Sequence, residues 1–406
     1  MTVDAAKLRR DLLAVVRGRG GARHGAVAEA LLAVPRHVFV PEVAVAKAYR
    51  DEAIVTKRDG DGVPVSSSSQ PTIMALMLDQ LGVAAGQRVL EIGAGTGYNA
   101  ALLAHIVGPA GVVVTVDIDG QMVDRARSRL AVAGYPQVTV ACGDGAEGYP
   151  AAAPFDRIIA TAGVWDLAPA WLEQLAPGGR IVVPLDLHGA QVSVAFEGEN
   201  GHWVGRDPVA CGFMRLRGGF AGPGRVHVLD PATRLRLAVP DDREIDAGAV
   251  GRAVAGAAVV RPTGVQGLRP DDSFGLGLWL VITEPRSCAL SDEGHGSSVL
   301  EPGLVRSTDF RLTIGILEAT SIAVLGLHSD PEALAVQAHG YGPDGDRLAT
   351  SLAEHVRAWD AAGRPHVGQL RIAAYPVSAY PADLPGPDDG IVLTKVHTRL
   401  VIAVRS

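Results

Sequence analysis

Carboxylates and glycines cluster where successive strands are predicted to end. The segment LEIGAGTGYN follows a strand-like run and contains Glu91 followed by a G-x-G-x-G loop over residues 93–97. The next strand-like run, VVVTVD, ends at Asp117, and a third is followed by Asp144 in CGDGAEG. The carboxyl ends of parallel strands meet at one edge of an open α/β sheet, which is where such sheets bind ligands. We therefore expect these three acids and the glycine loop to share one binding site.

The glycine spacing distinguishes between two classes of ligand. A dinucleotide fingerprint reads G-x-G-x-x-G, but here the third glycine comes one residue early and position 98 is Tyr. Glu91 would repel a pyrophosphate, whereas Asp117 lies where such folds hydrogen-bond a ribose diol. Three acids suit a cationic, amine-bearing, ribose-containing molecule such as S-adenosylmethionine, and a nicotinamide-dependent dehydrogenase is disfavoured. That Glu91 and Asp144 only cap helices is the minority interpretation.

Four consecutive serines, residues 66–69, precede the helical pattern PTIMALMLDQLGV. A carboxylate with a pKa near ~4 is already ionised at neutral pH, so its methylation requires orientation rather than a general base. Neutral hydroxyl donors orient the anion without stabilising its ground state as strongly as a cation would. Ser69, before Gln70 and Pro71, also fits the N-cap of the following helix. We expect Ser69 to do both.

Further segments carry a family resemblance. In chain order they are LLAVPRHVFVPE, AYRDEAI, SQPTIMA, VLEIGAGTGYNAALLA, VTVDID, GDGAEGYPAAAPFDRIIATAG and QLAPGGRIVVPL. Together, over roughly residues 27–190, they resemble the protein-L-isoaspartate O-methyltransferases. The Pro-Arg-His and Ser-Gln-Pro elements make this resemblance specific, because generic methyltransferases lack them.

Short strand-like runs alternate with longer helical patterns over residues 88–186, which predicts a parallel sheet covered on both faces. The resemblance implies that this is a doubly wound, Rossmann-like class I methyltransferase sheet with S-adenosyl-L-methionine as cofactor. The 12 histidines lack the short spacings of a zinc site, so we expect no metal. The predicted cofactor residues are Glu91, Gly93, Ala94, Gly95, Thr96, Gly97, Asp117, Ile118, Asp144 and Gly145. Ser69 is the serine that the resemblance assigns to the substrate carboxylate, with Ser68 and Ser67 as further predicted catalytic residues. Ser67 falls where the family usually has Thr. The serine run itself, and KRDGDGVPV before it, depart from the family pattern, which bears on substrate preference.

Two branches of the family are compatible with these motifs. Repair enzymes methylate isoaspartate, and the ester closes to a succinimide that reopens towards aspartate. The branch that this chain resembles more has a C-terminal extension and modifies a normal Asp in a ribosomally made, possibly cyclised precursor peptide, with aspartimide as product. An enzyme dedicated to one peptide needs a recognition domain, whereas a general repair enzyme does not. A non-catalytic peptide-binding protein is the third alternative, although neither the glycine loop nor the acids are lost.

Length and composition are consistent with this prediction. The 406 residues are 48% hydrophobic and carry a formal charge of −7, which argues against nucleic acid as the main partner. The start lacks a signal-peptide core and no run approaches a membrane span, so we expect a cytoplasmic protein. We predict N-terminal helices and the serine loop over 1–85, a methyltransferase domain over 86–222, and an α+β peptide-recognition extension over 223–406.

The C-terminal half yields strand and helix candidates. The run FGLGLWLVIT (274–283) and the segments at 309–317, 321–327, 333–339 and 391–404 are predicted strands, and 351–363 is a predicted helix. An edge strand in KVHTRLVIAV (395–404) would be able to pair with a peptide. Trp165 and Asp166 after the fourth strand either shape the substrate pocket or belong to the core, and both alternatives stay open.

Overall fold

The structure is a computed structural model that describes residues 4–60, 62–269, 272–293, 296–306, 311–329, 334–380 and 390–404. The chain divides into two compact units. The first comprises Met1–Asp186, Gln191–Ala221 and Arg371–Ala403, and the second comprises Leu187–Ala190, Gly222–Leu370 and Val404–Ser406. Among the described residues, no helix is both long and apolar enough to cross a membrane.

The α-helices of the described part are α1 (Ala5–Gly18), α2 (Gly25–Ala33), α3 (Val45–Ala48), α4 (Pro71–Leu81), α5 (Tyr98–Val107), α6 (Gly120–Val132), α7 (Pro169–Gln174), α8 (Ala247–Val254), α9 (Asp272–Thr283) and α10 (Gly345–Ala361). The strands that precede residue 220 are β1 (Ile54–Arg58), β2 (Pro64–Ser68), β3 (Arg88–Ile92), β4 (Val112–Asp117), β5 (Thr139–Cys142), β6 (Phe155–Ala160), β7 (Leu175–Leu187), β8 (Ala190–Glu199) and β9 (His202–Cys211). The later strands are β10 (Arg225–Asp230), β11 (Leu235–Val239), β12 (Val259–Gln266), β13 (Ser287–Asp292), β14 (Val305–Arg306), β15 (Arg311–Glu318), β16 (Ser321–Ser329), β17 (Leu334–Tyr341), β18 (Leu370–Pro376), β19 (Ile391–Thr394) and β20 (Thr398–Val404).

The first unit is built on a ten-stranded sheet with the order β19-β20-β18-β9-β8-β7-β6-β3-β4-β5. Strands β5, β4, β3, β6 and β7 run parallel. Their crossover helices cover the sheet, and α1, α2, α4, α5 and α6 contribute to one large apolar cluster. The predicted Rossmann-like methyltransferase sheet is therefore confirmed. Strands β1 and β2 form a separate antiparallel hairpin that carries the serine run.

The second unit is an antiparallel sheet with helices on its faces. Its strand order is β10-β11-β13-β15-β16-β17-β12, with β14 paired to β15. One apolar cluster includes Leu276 of α9 and Leu348 and Trp359 of α10. A different cluster includes Val250 and Val254 of α8. The predicted α+β character of the extension is confirmed, because one antiparallel sheet packs against the helices α8, α9 and α10.

The strand predicted at 274–283 is wrong, because these residues form helix α9. A short apolar run that is buried all round has the same pattern in a helix as in a central strand. Within this helix Gly275 is required by packing. A Cβ there would lie 2.7 Å from the carbonyl oxygen of Pro365.

The extension is also divided differently from the prediction. The sequence predicts one strand over 391–404, but two strands form, and they are joined by a turn in which the Lys395 N–H donates to the Thr398 carbonyl oxygen at 2.8 Å. Strand β20 lies between β19 and β18, so most of the predicted edge strand is interior. Residues 371–403 belong to the first unit, so the predicted single domain over 223–406 does not match the observed division.

Candidate functional site

One cavity of the first unit lies at the carboxyl ends of β3, β4 and β6. It encloses about 850 Å³ of empty space, including solvent at its mouth. Its lining comprises Val65, Ser66, Ser67, Ser68, Ser69, Met74, Glu91, Ile92, Gly93, Ala94, Gly95, Thr96, Tyr98, Asn99, Val116, Asp117, Ile118, Gly145, Thr161, Ala162, Phe213, Met214, Arg215, Leu216 and Arg217. The predicted serines and most of the predicted cofactor residues therefore lie in one pocket.

The glycine loop after β3 brings bare backbone to the cavity. Gly93 has φ +101°, and a Cβ there would lie 2.9 Å from Thr161 Oγ1. Gly145 faces a similar constraint, because its Cβ would lie 2.5 Å from Ile92 Cγ2. Side chains at either position would collide with the neighbouring strand ends, so these glycines allow a close approach that other residues do not.

Glu91 is a buried carboxylate in the wall of the cavity. Asn99 Nδ2 donates to one of its oxygens at 2.8 Å, and Thr115 Oγ1 donates to the other at 2.6 Å. Burial raises the pKa of Glu91 to about 7, against the lowering effect of both hydrogen bonds. A cationic ligand nearby would favour the ionised form and reverse this shift. Neither Asn99 nor Thr115 was predicted as part of the site.

Asp117 closes the cavity at the end of β4. Its Oδ2 accepts from the Gly95 N–H at 2.9 Å, and its Oδ1 accepts from the Asp119 N–H at 3.0 Å. Arg217 Nη2 lies 3.8 Å from Asp117 Oδ1. Next to it, Ile118 presents an unusually exposed apolar side chain to the cavity. A polar carboxylate beside an apolar surface suits a ribose that carries a base.

Two predicted cofactor residues lie outside the lining. Gly97 is the N-cap of α5, with φ +86°. Asp144 accepts from the Ala146 N–H at 2.9 Å, and its other oxygen accepts from the Gly219 N–H at 3.0 Å. In this structure Asp144 therefore caps a short turn and anchors the backbone at Gly219. From the sequence, such capping is the minority interpretation. Its direct contact with a cofactor stays a prediction.

The cavity contains an unsatisfied acceptor that fits the predicted cofactor. Asn99 Oδ1 is buried and has no hydrogen-bond partner within the described ranges. An ammonium group would supply the missing donor, and Glu91 would supply a compensating negative charge. Asp117 and Ile118 in the same lining would suit a ribose and a base, so the residues present fit S-adenosylmethionine.

Three of the four serines, Ser66, Ser67 and Ser68, belong to strand β2, and Ser69 follows it. Ser66 and Ser68 are the buried members of β2, while Ser67 and Ser69 are partly exposed. Ser66 Oγ accepts from Thr56 Oγ1 at 3.1 Å. Ser68 is 2% exposed, and its Oγ has no partner among the residues that the structure describes. A buried, unpaired hydroxyl in a cavity wall is available to a ligand.

The prediction that Ser69 caps α4 is wrong. The N-cap is Gln70, with Pro71 as the first helical residue. Asp51 supplies the cap instead, because its Oδ1 accepts from the Thr72 N–H at 2.8 Å and its Oδ2 accepts from Thr72 Oγ1 at 2.7 Å. Asp51 also accepts from Gln70 Nε2 at 3.1 Å. The side chain of Ser69 is thereby left to the cavity.

Arg36 of the Pro-Arg-His element fixes the backbone of the serine run through hydrogen bonds to carbonyl oxygens. Its buried guanidinium donates to the carbonyl oxygens of Ala48, Arg50 and Glu52 at 2.7 to 3.0 Å. It also donates to the carbonyl oxygen of Ser69 at 3.0 Å. Two backbone segments, residues 48–52 and the end of the serine run, are thus joined by one side chain. The Pro-Arg-His motif contributes to the family resemblance, but the sequence alone gives Arg36 no role.

The loop after β6 holds Trp165 and Asp166, which the sequence left between pocket and core. Both lie outside the cavity lining. Asp166 is buried, and its carboxylate accepts from Thr398 Oγ1 and from the His397 N–H, each at 2.6 Å. Lys395 Nζ lies 3.0 Å from the centre of the Trp165 ring. These residues therefore anchor the C-terminal hairpin to the loop after β6, within the first unit.

Comparison with known proteins matches the part of the chain that contains this cavity. The family model described as protein-L-isoaspartate(D-aspartate) O-methyltransferase matches residues 7–220. A protein-L-isoaspartate O-methyltransferase of Methanopyrus kandleri is 40% identical over 221 residues, which cover 53% of this chain and 95% of that protein. One of Thermotoga maritima is 34% identical over 241 residues, which cover 59% of this chain and 73% of that protein.

A solved protein-L-isoaspartate O-methyltransferase structure is similar in fold. It aligns with a TM-score of 0.50 at 24% identity, covering 90% of this chain and 96% of that one. The family match spans the serine hairpin, the glycine loop and the arginine-bearing segment 213–217. The chain therefore belongs to the protein-L-isoaspartate(D-aspartate) O-methyltransferase family and is an S-adenosylmethionine-dependent methyltransferase of that type.

Proposed function

We propose that the enzyme methyl-esterifies an aspartyl or isoaspartyl carboxylate in a peptide or protein, and that its favoured substrate is a ribosomally made precursor peptide in which the ester leads to aspartimide. The observation that carries the methylation is the buried Ser68 hydroxyl, unpaired in the described part of the chain, in the same cavity as Glu91 and Asp117. It places a neutral donor beside a site for a cationic ligand.

The part of the cavity that binds the methyl donor would be formed by Glu91, Asn99, Asp117 and Ile118. When bound, S-adenosylmethionine supplies an electrophilic methyl group on a positively charged sulfur. The chain's own contribution is to fix that ligand with backbone at the glycine loop and to place the acceptor oxygen in line with the methyl group. Alignment of this kind is worth on the order of 7–11 kcal/mol in favourable cases.

The acceptor half would be formed by the serine strand. Ser68 and Ser69 donate hydrogen bonds to a carboxylate that is already ionised, so no base is required. Their hydroxyls replace part of its hydration shell without a full positive charge, which would stabilise the ground-state anion more than the transition state. Arg36 contributes indirectly, since it fixes the backbone of Ser69 and its charge is directed at carbonyl oxygens.

Methyl transfer and the subsequent ring closure need no reagent other than the methyl donor and the peptide. A carboxylate oxygen forms a bond to the methyl carbon, and the electron pair of the broken carbon–sulfur bond stays on sulfur. The amide nitrogen of the next residue then attacks the ester carbonyl, loses its proton and expels methanol. Relative to the starting peptide, the aspartimide has lost the elements of water.

The proposal of a dedicated peptide substrate rests on the extension. The family match ends at residue 220, and all of the second unit except Leu187–Ala190 lies beyond it. The described residues of this unit form eight strands and three α-helices. A solved protein-L-isoaspartate O-methyltransferase that aligns over 90% of this chain also extends past the family match, and recognition of one peptide is the role that we propose for the extension here. General repair of L-isoaspartyl proteins is the alternative. A non-catalytic peptide-binding protein is disfavoured because the glycine loop and the acids are intact.

The two substrates are separated by one assay. The enzyme is incubated with labelled methyl donor and either an isoaspartyl peptide or a ribosomally made precursor peptide that contains a normal Asp. Methanol release with loss of 18 mass units (about one water) from the aspartyl peptide supports the dedicated modification. Turnover of the isoaspartyl peptide alone, with return to aspartate, supports repair. Turnover of neither peptide contradicts the proposed function.

A further inference from the structure

Arg215 has an unused donor in the wall of the cavity. It lies in the segment 213–217, which lines the cavity and pairs with the loop after β6. The Gly163 N–H donates to the Met214 carbonyl oxygen at 2.8 Å, and the Leu216 N–H donates to the Gly163 carbonyl oxygen at 2.9 Å. Arg215 Nη1 is buried and has no hydrogen-bond partner in the described ranges. The position of the arginine in the cavity wall is therefore set by backbone pairing with the loop after β6.

Arg215 is held by a buried acid on its other nitrogen. Its Nη2 lies 3.1 Å from Asp186 Oδ2, and the Asp186 side chain is 4% exposed. A guanidinium presents five N–H donors in a fixed plane and commonly binds two anionic groups at once. The pair with Asp186 uses one edge of that plane and leaves Nη1 for a second acceptor.

The C-terminal hairpin reinforces this pair. Lys395, in the turn between β19 and β20, is buried and donates from Nζ to the Asp186 carbonyl oxygen at 3.1 Å. Burial lowers the pKa of Lys395 to about 7. The turn is anchored to Asp166 and stacked on Trp165, as described above. Residues from the far end of the chain thus fix the backbone of the acid that orients Arg215.

An unpaired buried guanidinium nitrogen is costly unless a ligand completes its hydrogen bonding. We propose that Arg215 is a carboxylate-binding residue of the cavity, oriented by Asp186 and, as a positioning residue, by Lys395 of the C-terminal hairpin. This inference rests on the cavity being the methyl-transfer site. Two ligands would bring a carboxylate there, namely the amino-acid end of the methyl donor and the peptide acceptor. Because Asp186 compensates the arginine charge, either carboxylate would be held without an excess of positive charge.

Binding and kinetics of an Arg215→Gln variant distinguish the two sources. Calorimetry measures the affinity for S-adenosylhomocysteine and for 5′-methylthioadenosine, which lacks the amino-acid carboxylate. Steady-state kinetics measure the KM of whichever peptide the wild type methylates. Arg206→Gln is the matched control, because Arg206 is an exposed arginine of β9 that lies 3.6–3.7 Å from Glu199 and Glu197 and outside the cavity lining.

We expect Arg215→Gln to weaken one interaction by about 10-fold or more, the usual effect of losing a charge-assisted hydrogen bond. Weaker binding of S-adenosylhomocysteine with unchanged 5′-methylthioadenosine binding identifies the donor carboxylate. A raised peptide KM with unchanged nucleotide binding identifies the acceptor. In either case Lys395→Met should shift the same quantity in the same direction, and Arg206→Gln should shift neither.

The inference is overturned if Arg215→Gln leaves both the S-adenosylhomocysteine affinity and the peptide KM within about twofold of wild type. If the Gln variant does not fold, Arg215→Lys is measured instead, and the same limits apply to it. Failure of the wild type to bind S-adenosylhomocysteine at all would be a different result, since it refutes the function of the cavity rather than the role of Arg215.

Discussion

The guanidinium of Arg36 donates to the backbone carbonyl oxygen of Ser69 at 3.0 Å and to that of Ser68 at 3.4 Å. A buried cation from the Pro-Arg-His element therefore sets the backbone of the serine strand without touching the hydroxyls. The arrangement separates the two tasks of the strand, since its carbonyl oxygens secure its position while its side chains remain available to the cavity.

Replacing Arg36 with Lys should lower both stability and activity. A lysine keeps the charge but cannot reach five carbonyl oxygens from one plane, so several buried acceptors would lose their donors. We expect a stability loss of roughly 3–5 kcal/mol, seen as a lower thermal midpoint, and a larger loss in kcat than in donor affinity. Arg17→Lys, at the exposed end of α1, is the control. An unchanged midpoint in Arg36→Lys would contradict the role assigned to Arg36.

Removing the Asp51 cap should displace the serine strand. Asp51→Ala deprives the Thr72 N–H and Gln70 of their acceptor, and the loss of a cap costs about 1–2 kcal/mol. Asp4→Ala removes a comparable cap from α1, where Asp4 accepts from the Ala6 and Lys7 N–H groups. Both variants should lower the thermal midpoint, but only Asp51→Ala should reduce methyl transfer. Equal activity of the two variants would show that the cap does not position the acceptor site.

Ser68→Ala should affect activity and stability in opposite ways. The hydroxyl has no partner in the described structure, so its removal should leave the thermal midpoint unchanged or slightly higher. Turnover should fall by about 10-fold, since one hydrogen bond to the acceptor is lost. Ser66→Ala provides the contrast, because it removes the acceptor of Thr56 Oγ1 and should lower the midpoint. Full activity of Ser68→Ala would exclude Ser68 from the acceptor site.

The raised pKa of Glu91 predicts a specific pH dependence of stability. Its folded pKa of about 7 lies above the ordinary value of 4.5, so the carboxyl contributes stability that is complete below about pH 4.5 and is lost as pH rises through 7. Between pH 5 and 8, wild type should therefore lose up to ~3 kcal/mol relative to Glu91→Gln. Thermal midpoints measured across that range test this difference.

The exposed Glu147 provides the control for that series, because Glu147→Gln should follow the wild-type curve. Parallel curves for wild type and Glu91→Gln would mean that Glu91 is not buried and protonated in the free enzyme. A second readout is available in the same range. Binding of a cationic donor should release protons from Glu91 below pH 7, and calorimetry in two buffers of different ionisation enthalpy detects that release.

Local patterns were sufficient to predict that the acids and the glycine loop meet at one edge of the sheet. Each parallel strand is a short apolar run that ends at a turn, so the acids and glycines that follow such runs converge on one sheet edge. Glu91 and Asp117 were located in this way. The fold class followed from the same alternation of strands and helices, and the family motifs agreed with it.

The remaining features depend on pairings between distant residues. Asp51 caps a helix that begins at Pro71, and no local signature connects the two. Arg215 looks like a surface residue in the run RLRGG until its backbone pairing with Gly163 is known. The 274–283 run was mistaken for a strand because burial on all sides removes the periodicity that identifies a helix.

The central claim is that one cavity holds a methyl donor against a carboxylate. Its most direct measurement is the transfer of labelled methyl groups from S-adenosylmethionine to a peptide, followed by mild alkali. We predict labelled product that releases methanol in alkali, formed about 10-fold more slowly by Ser68→Ala. Label that survives alkali would indicate methylation of nitrogen or sulfur. Either that result or an absence of label would contradict the proposed carboxylate acceptor.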